Sequence, residues 1–175
     1  MASSNRLEVE ILSSDSKKTE ELDEVDLKIL SGLQEDAHVG YEELGGSVDL
    51  AESSVRYRVK GLEERGIIQS YMTVLDARKL GFDLFIFAEL DVEAGKEQSV
   101  SQKLQKFENV VGLFSVSGQP DMVAIILARN NEELTEIIEG IRAIKEVHKM
   151  ISMLALRTYK LDLAVKVPIK IKEKE

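Results

Sequence analysis

Asp49-Leu-Ala-Glu-Ser-Ser-Val-Arg-Tyr-Arg-Val-Lys-Gly-Leu-Glu-Glu-Arg-Gly66 is the stretch whose reading decides the fold. Val55, Val59 and Leu62 recur at the spacing that places them on one side of an α-helix. Asp49, followed three residues later by Glu52, resembles a capping box. Gly66 supplies a stop, so a helix is predicted over Ser53 to Arg65. With the apolar residues inward, a period of about 3.6 residues turns Ser53, Tyr57 and Lys60 outward, with Ser54 and Arg56 on the flanks. Arg58 and Arg65 lie nearer the boundary, where their long stems can still reach out.

Upstream of this helix, Leu22, Val25, Ile29 and Leu33 keep helical spacing, and Asp23, Glu24 and Asp26 sit where the N-terminal dipole favours acids. A first helix is expected to end near Asp36. Tyr41, Leu44 and Val48 give a second, Tyr41 to Val48, despite Gly45-Gly46, each costing about 1 kcal/mol relative to Ala. Downstream, Ile67 to Leu75 is rich in β-formers and reads as extended. Three short helices with a tight turn between the last two, then an extended segment, form a winged helix-turn-helix, in which the last helix can enter a major groove.

The second half follows a different rhythm. Strands are expected at Leu84 to Val92, Val110 to Ser117, Asp121 to Ala128 and Val147 to Tyr159, and helices at Gln98 to Phe107 and Glu132 to Ile144. The order βαββαβ is ferredoxin-like, so the fold class is α+β. Val100, Leu104 and Phe107 form one helical stripe, and Leu134, Ile137, Ile138, Ile141 and Ile144 the other, so both helices can cover one sheet face. Met122 to Leu127 and Met150 to Leu156 are apolar beyond simple alternation, which predicts that the second face meets a partner subunit. The domains expected are a flexible extension over 1–21, the DNA-binding unit and linker over 22–78, the βαββαβ unit over 79–160, and a tail over 161–175. In the tail, Pro168 restricts any strand to an edge.

Composition narrows the function. A hydrophobic content of 43% supports real cores, and no stretch approaches the roughly 20 apolar residues of a membrane span. The polar start Met1-Ala-Ser-Ser-Asn lacks a signal-peptide core, so the protein is expected in the cytoplasm. With no cysteine and only His38 and His148, neither a thiolate nor an imidazole metal site is expected, and no cofactor either. No phosphate-cradling glycine motif or triad is visible, and the pairs Glu42-Glu43, Glu63-Glu64 and Glu132-Glu133 point apart on their helices, so an enzyme is not expected.

The outward residues of the third helix are hydroxyl, aromatic and cationic, the groups that contact phosphates and base edges. Ser53, Ser54, Arg56, Tyr57, Arg58, Lys60 and Arg65 are therefore the candidate DNA-binding set. Charge opposes this: the net charge is -9, and from Asp23 to Gly66 there are 11 acidic residues against 5 basic ones. Binding is expected to be modest per site, salt-sensitive and dependent on dimer avidity. The competing reading is an oligomeric metabolite-binding or protein-interaction module with weak or no DNA binding.

Leu22-Asp-Glu-Val-Asp-Leu-Lys-Ile-Leu30, Tyr41-Glu-Glu-Leu44, Ser53-Ser-Val-Arg-Tyr-Arg-Val-Lys60, Leu62-Glu-Glu-Arg-Gly-Ile-Ile68 and Val74-Leu-Asp-Ala-Arg-Lys-Leu-Gly81 together resemble the Lrp/AsnC, or feast/famine, transcription regulators. The resemblance spans residues 22 to 160. It implies a sequence-specific regulator that binds double-stranded operator DNA, senses an amino acid or related metabolite, and assembles as a homodimer, tetramer or octamer. It also implies that Ser117-Gly-Gln-Pro-Asp121 corresponds to the family's Gly-x-x-Asp connection at an inter-subunit effector pocket. Gly118 would permit close backbone approach, Gln119 would lie alongside, Asp121 would receive an α-ammonium group, and Ser152 would supply a nearby hydroxyl. The sequence departs from the family where Ala51-Glu52 replaces the usual Ser-Pro, where Gly45-Gly46 replaces a more helical pair, where His38 replaces a frequent Arg, and in its 21-residue leader.

Overall fold

The computed structural model describes residues 22–161; the expected N-terminal extension and C-terminal tail lie outside them, apart from Leu161. The chain divides into two compact units, one ending at Thr73 and the other beginning at Val74. The expected boundary at residue 79 lies beyond this division, within a turn where Asp76 Oδ1 accepts from the Arg78 and Lys79 amides.

The first unit contains α1 (Glu24–Glu35), α2 (Tyr41–Val48) and α3 (Glu52–Glu64). Asp23 caps α1 by accepting from the Asp26 amide at 2.7 Å. Ile29, Leu44, Val55, Val59 and Leu62 form the buried centre, one contribution from each of the first two helices and three from the third. Gly45 has a structural use: a Cβ there would lie 2.3 Å from the Leu50 carbonyl, so only glycine lets the turn fold back onto α2. Gly46 meets no such obstacle.

The capping box expected at Asp49 and Glu52 is not formed. Asp49 ends α2 in the left-handed conformation, φ 58°. The residue before α3 is Ala51, with no side-chain cap. The turn uses Asp49 to reverse the chain, as a residue tolerant of positive φ, and the helix starts three residues beyond it, at Glu52. Gly66, at φ 71°, closes α3, with the Ile67 amide reaching back to the Leu62 carbonyl. The extended segment after it forms no strand among the described residues; Tyr71 donates from its hydroxyl to Glu63 at 2.9 Å.

The second unit contains β1 (Leu84–Val92), α4 (Glu97–Leu104), β2 (Val110–Ser115), β3 (Met122–Ala128), α5 (Asn131–Arg142) and β4 (Val147–Leu154). The sheet order is β2-β3-β1-β4, with every neighbouring pair antiparallel, as the ferredoxin-like arrangement requires. β4 stops five residues short of the expected Tyr159 because its partner β1 begins at Leu84 and pairing ends at Ile86 opposite Leu154. Ile86, Ala88, Leu90, Ala124 and Ile126 point from the central strands into a core completed by Val100 and Leu104 of α4 and Ile137 and Ile141 of α5.

The other sheet face carries large apolar side chains with no helix over them among the described residues. Phe87, opposite Ile125 and Met153, is 38% exposed, and Phe114, opposite Val123, is 44% exposed. Ile151 and Met153 are exposed to a similar degree. Phe85 and Phe87 stack edge to face on this surface, their ring centroids 5.3 Å apart.

Candidate nucleic-acid interface and ligand loop

The outward face of α3 carries Ser53, Tyr57 and Lys60, and Tyr57 is 80% exposed. An open depression of about 720 Å³ runs along it, lined by these three together with Ser54, Arg58 and Arg65, and by Asp26 and Glu64. The structure thus brings six of the seven candidate DNA-binding residues to one surface, and Arg56 lies apart from it.

Each of the three basic side chains of α3 is ion-paired within the chain. Arg56 Nη2 meets Glu52 at 2.5 Å and its guanidinium lies 5.0 Å from the centre of the Tyr41 ring. Lys60 pairs with Glu64 at 3.4 Å across one helical turn. Both pairs are exposed, and the Lys60 pair, on the outward face, is one that phosphates can compete for. Arg58 differs, because one nitrogen donates to Asp23 Oδ2 and to Asp26 Oδ1, each at 2.7 Å. Asp26 is the buried charged residue among the described residues of this unit. These contacts raise the Arg58 pKa further, with the Asp23 hydrogen bond the largest cause, and assign it to holding α1 against α3. In this structure the Arg58 guanidinium is engaged by two carboxylates 32 and 35 residues away, while its side chain still lines the α3 depression. His38 is exposed, with its ring nitrogen 3.8 Å from Asp36.

In the second unit the Ser117–Asp121 connection is tied to the end of β1. The Asp121 amide donates to the Leu90 carbonyl at 3.1 Å, and Asp121 Oδ2 accepts from the Val92 amide at 2.8 Å. Gly118 stands at φ 113°, open only to glycine at low cost. Gln119 and Pro120 line a hollow of about 200 Å³ with Glu89, Asp91, Lys149 and Ile151 on the uncovered sheet face. Ser152 is not among them: it lies opposite Ala88, whose side chain points into the core, so Ser152 belongs to the other side of the sheet. Glu89, Asp91 and Lys149 were missed from sequence because their meeting depends on the β1 to β4 register; Lys149 stands 3.7 Å from Asp91. Among the described residues no cluster of acidic and histidine side chains could hold a metal ion, and no helix is long and apolar enough to cross a membrane.

Two family descriptions match the chain in the order of its two units: the AsnC-type helix-turn-helix domain over residues 22–63 and the Lrp/AsnC ligand binding domain over residues 85–165. The HTH-type transcriptional regulator FL11 of Pyrococcus furiosus is 34% identical over 139 residues, covering 79% of this chain and 92% of that protein. The structure of Escherichia coli AsnC superposes with a TM-score of 0.79 at 21% identity, over 84% of this chain and 99% of that one. A Neisseria meningitidis transcriptional regulator in complex with L-Met gives a TM-score of 0.77 at 23% identity, over 83% and 96%. At these identities the solved structures speak for the fold. Helix-turn-helix and ligand-binding domain together define a DNA-binding transcription regulator. The chain belongs to the Lrp/AsnC family of such regulators.

Proposed function

We propose that the chain forms a homodimer through the uncovered sheet face and presents paired α3 helices to operator DNA in the cytoplasm. An amino acid bound beside the Gly118–Asp121 loop then shifts the assembly or the spacing of the helices. The observation that carries the DNA reading is the α3 surface, where Ser53, Tyr57 and Lys60 share one exposed face and Lys60 is held by an exposed pair. The apolar face of Phe87, Ile125, Phe114 and Met153 supports the dimer, since exposed contiguous apolar surface marks association sites. The L-Met complex of the Neisseria relative supports an amino acid as the ligand class.

The test is binding to DNA from upstream of the chain's own gene against a scrambled fragment of equal length, across a salt series and with each amino acid added in turn. Selective binding that weakens with salt is expected, with half-sites about one helical turn, roughly 34 Å, apart. Equal binding to both fragments at low salt overturns the reading. In sedimentation, Phe87→Glu should convert dimer to monomer by burying an unpaired charge in the interface; an unchanged mass would place the interface elsewhere.

A further inference from the structure

Glu52 is the first residue of α3, the end of a recognition helix that reaches base edges. A carboxylate there is repelled by phosphates and by every acceptor in the major groove. The donors available to it are the N4 amine of cytosine and the N6 amine of adenine. Adenine presents N7, an acceptor, beside its amine, whereas cytosine offers no acceptor on its major-groove edge. A carboxylate at this position therefore selects cytosine.

The structure holds Glu52 ready for that contact. Its Oε1 takes the Arg56 guanidinium at 2.5 Å, which leaves Oε2 and further lone pairs for a donor, and its side chain is half exposed. Arg56 is itself steadied by the Tyr41 ring on α2, so the carboxylate is oriented from its own helix and the preceding one. The neighbouring cation and the N-terminal helix dipole offset the charge that the duplex would otherwise reject. Glu64, the other acid paired on α3, stands twelve residues on, roughly 18 Å along the axis, at the end that leaves the groove.

We propose that Glu52 is a specificity-determining residue, accepting a hydrogen bond from a cytosine N4 amine once in each half-site and positioned for it by Arg56. This rests on the reading that α3 enters the major groove. The test is selection of bound sequences from a random double-stranded DNA library by the full chain and by its Glu52→Ala and Glu52→Gln variants. The parent is expected to show one cytosine position per half-site. Glu52→Ala should lose that preference by about tenfold while keeping the others, and Glu52→Gln should move it toward adenine, which glutamine can bind through N6 and N7. Identical preferences in parent and Glu52→Ala, or a uniform gain in affinity for all sequences, overturn the proposal and reduce Glu52 to a repulsive charge. Absence of any selected sequence from the parent itself overturns the underlying reading, and this assignment with it.

Discussion

Arg58 and Asp26 meet at 2.7 Å inside the helix-turn-helix unit, joining the recognition helix to the helix that opens the domain. The carboxylate is buried and the guanidinium about one-third exposed, so the pair sits between a surface ion pair and a buried one. Arg58→Ala leaves Asp26 without its cation and should cost about 2 kcal/mol in urea unfolding, below the full penalty of a buried pair because water still reaches the site. Arg58→Lys should recover only part of this. In DNA titrations Arg58→Ala should leave the salt slope unchanged, whereas Lys60→Ala should lower it by about one per site contacted.

Acid should act on the same junction through Asp23. Its carboxyl is held below the ordinary 3.8, first by the Asp26 amide it caps and then by Arg58. A folded pKa lower than the unfolded one means that this contribution is present above about pH 4 and is lost as pH falls through the folded value. Asp23→Asn keeps the cap and removes the charge. The variant should melt below the parent at neutral pH, and the two melting curves should converge as the pH drops below about 4.

The two adjacent glycines of α2 should respond in opposite directions. Gly45→Ala drives a methyl into the Leu50 carbonyl, which is backbone and cannot step aside, and should cost about 2 to 3 kcal/mol. Gly46→Ala enters open space in a helical position and should gain up to about 1 kcal/mol. Thermal unfolding of the two variants side by side checks both.

What could be read from the sequence followed from local spacing. The apolar periods of α3 and α5, the stop at Gly66 and the succession of strands and helices along the chain all depend on residues within a few positions of one another. What escaped depended on distant chain. Locally Arg58 reads as an outward-reaching cation, and its carboxylate partners, 32 and 35 residues earlier, are not visible in the spacing. Asp49 has the composition of an N-cap, and only the tight return of Leu50 onto Gly45 turns it into the end of α2. Ser152 enters through the resemblance alone, and the face it occupies is set by its pairing with Ala88, a long-range contact.

Tyr71 provides a spectroscopic check on the segment after α3. Burial, then the hydrogen bond and charge of Glu63, push its pKa from 10.0 up to about 12. The sign is that of a raised folded pKa: the contribution is intact below about pH 10 and is lost as pH rises toward the folded value. Absorbance titration at alkaline pH should show a late phenolate step that Tyr71→Phe removes. Glu63→Gln should bring that step to lower pH.

Asp121 holds the ligand loop to β1 and is also the carboxylate suggested for the ammonium of an amino acid, and two substitutions separate these uses. Asp121→Ala removes the acceptor for the Val92 amide, so it should lose about 1 to 2 kcal/mol of stability along with ligand affinity. Asp121→Asn keeps an oxygen in the same place and deletes only the charge. Its unfolding should stay within about 0.5 kcal/mol of the parent while amino-acid affinity by calorimetry falls about tenfold, the scale of one charge-assisted hydrogen bond. If Asp121→Asn binds as the parent does, the charge has no part in recognition, and Asp121 serves the loop only as a tether.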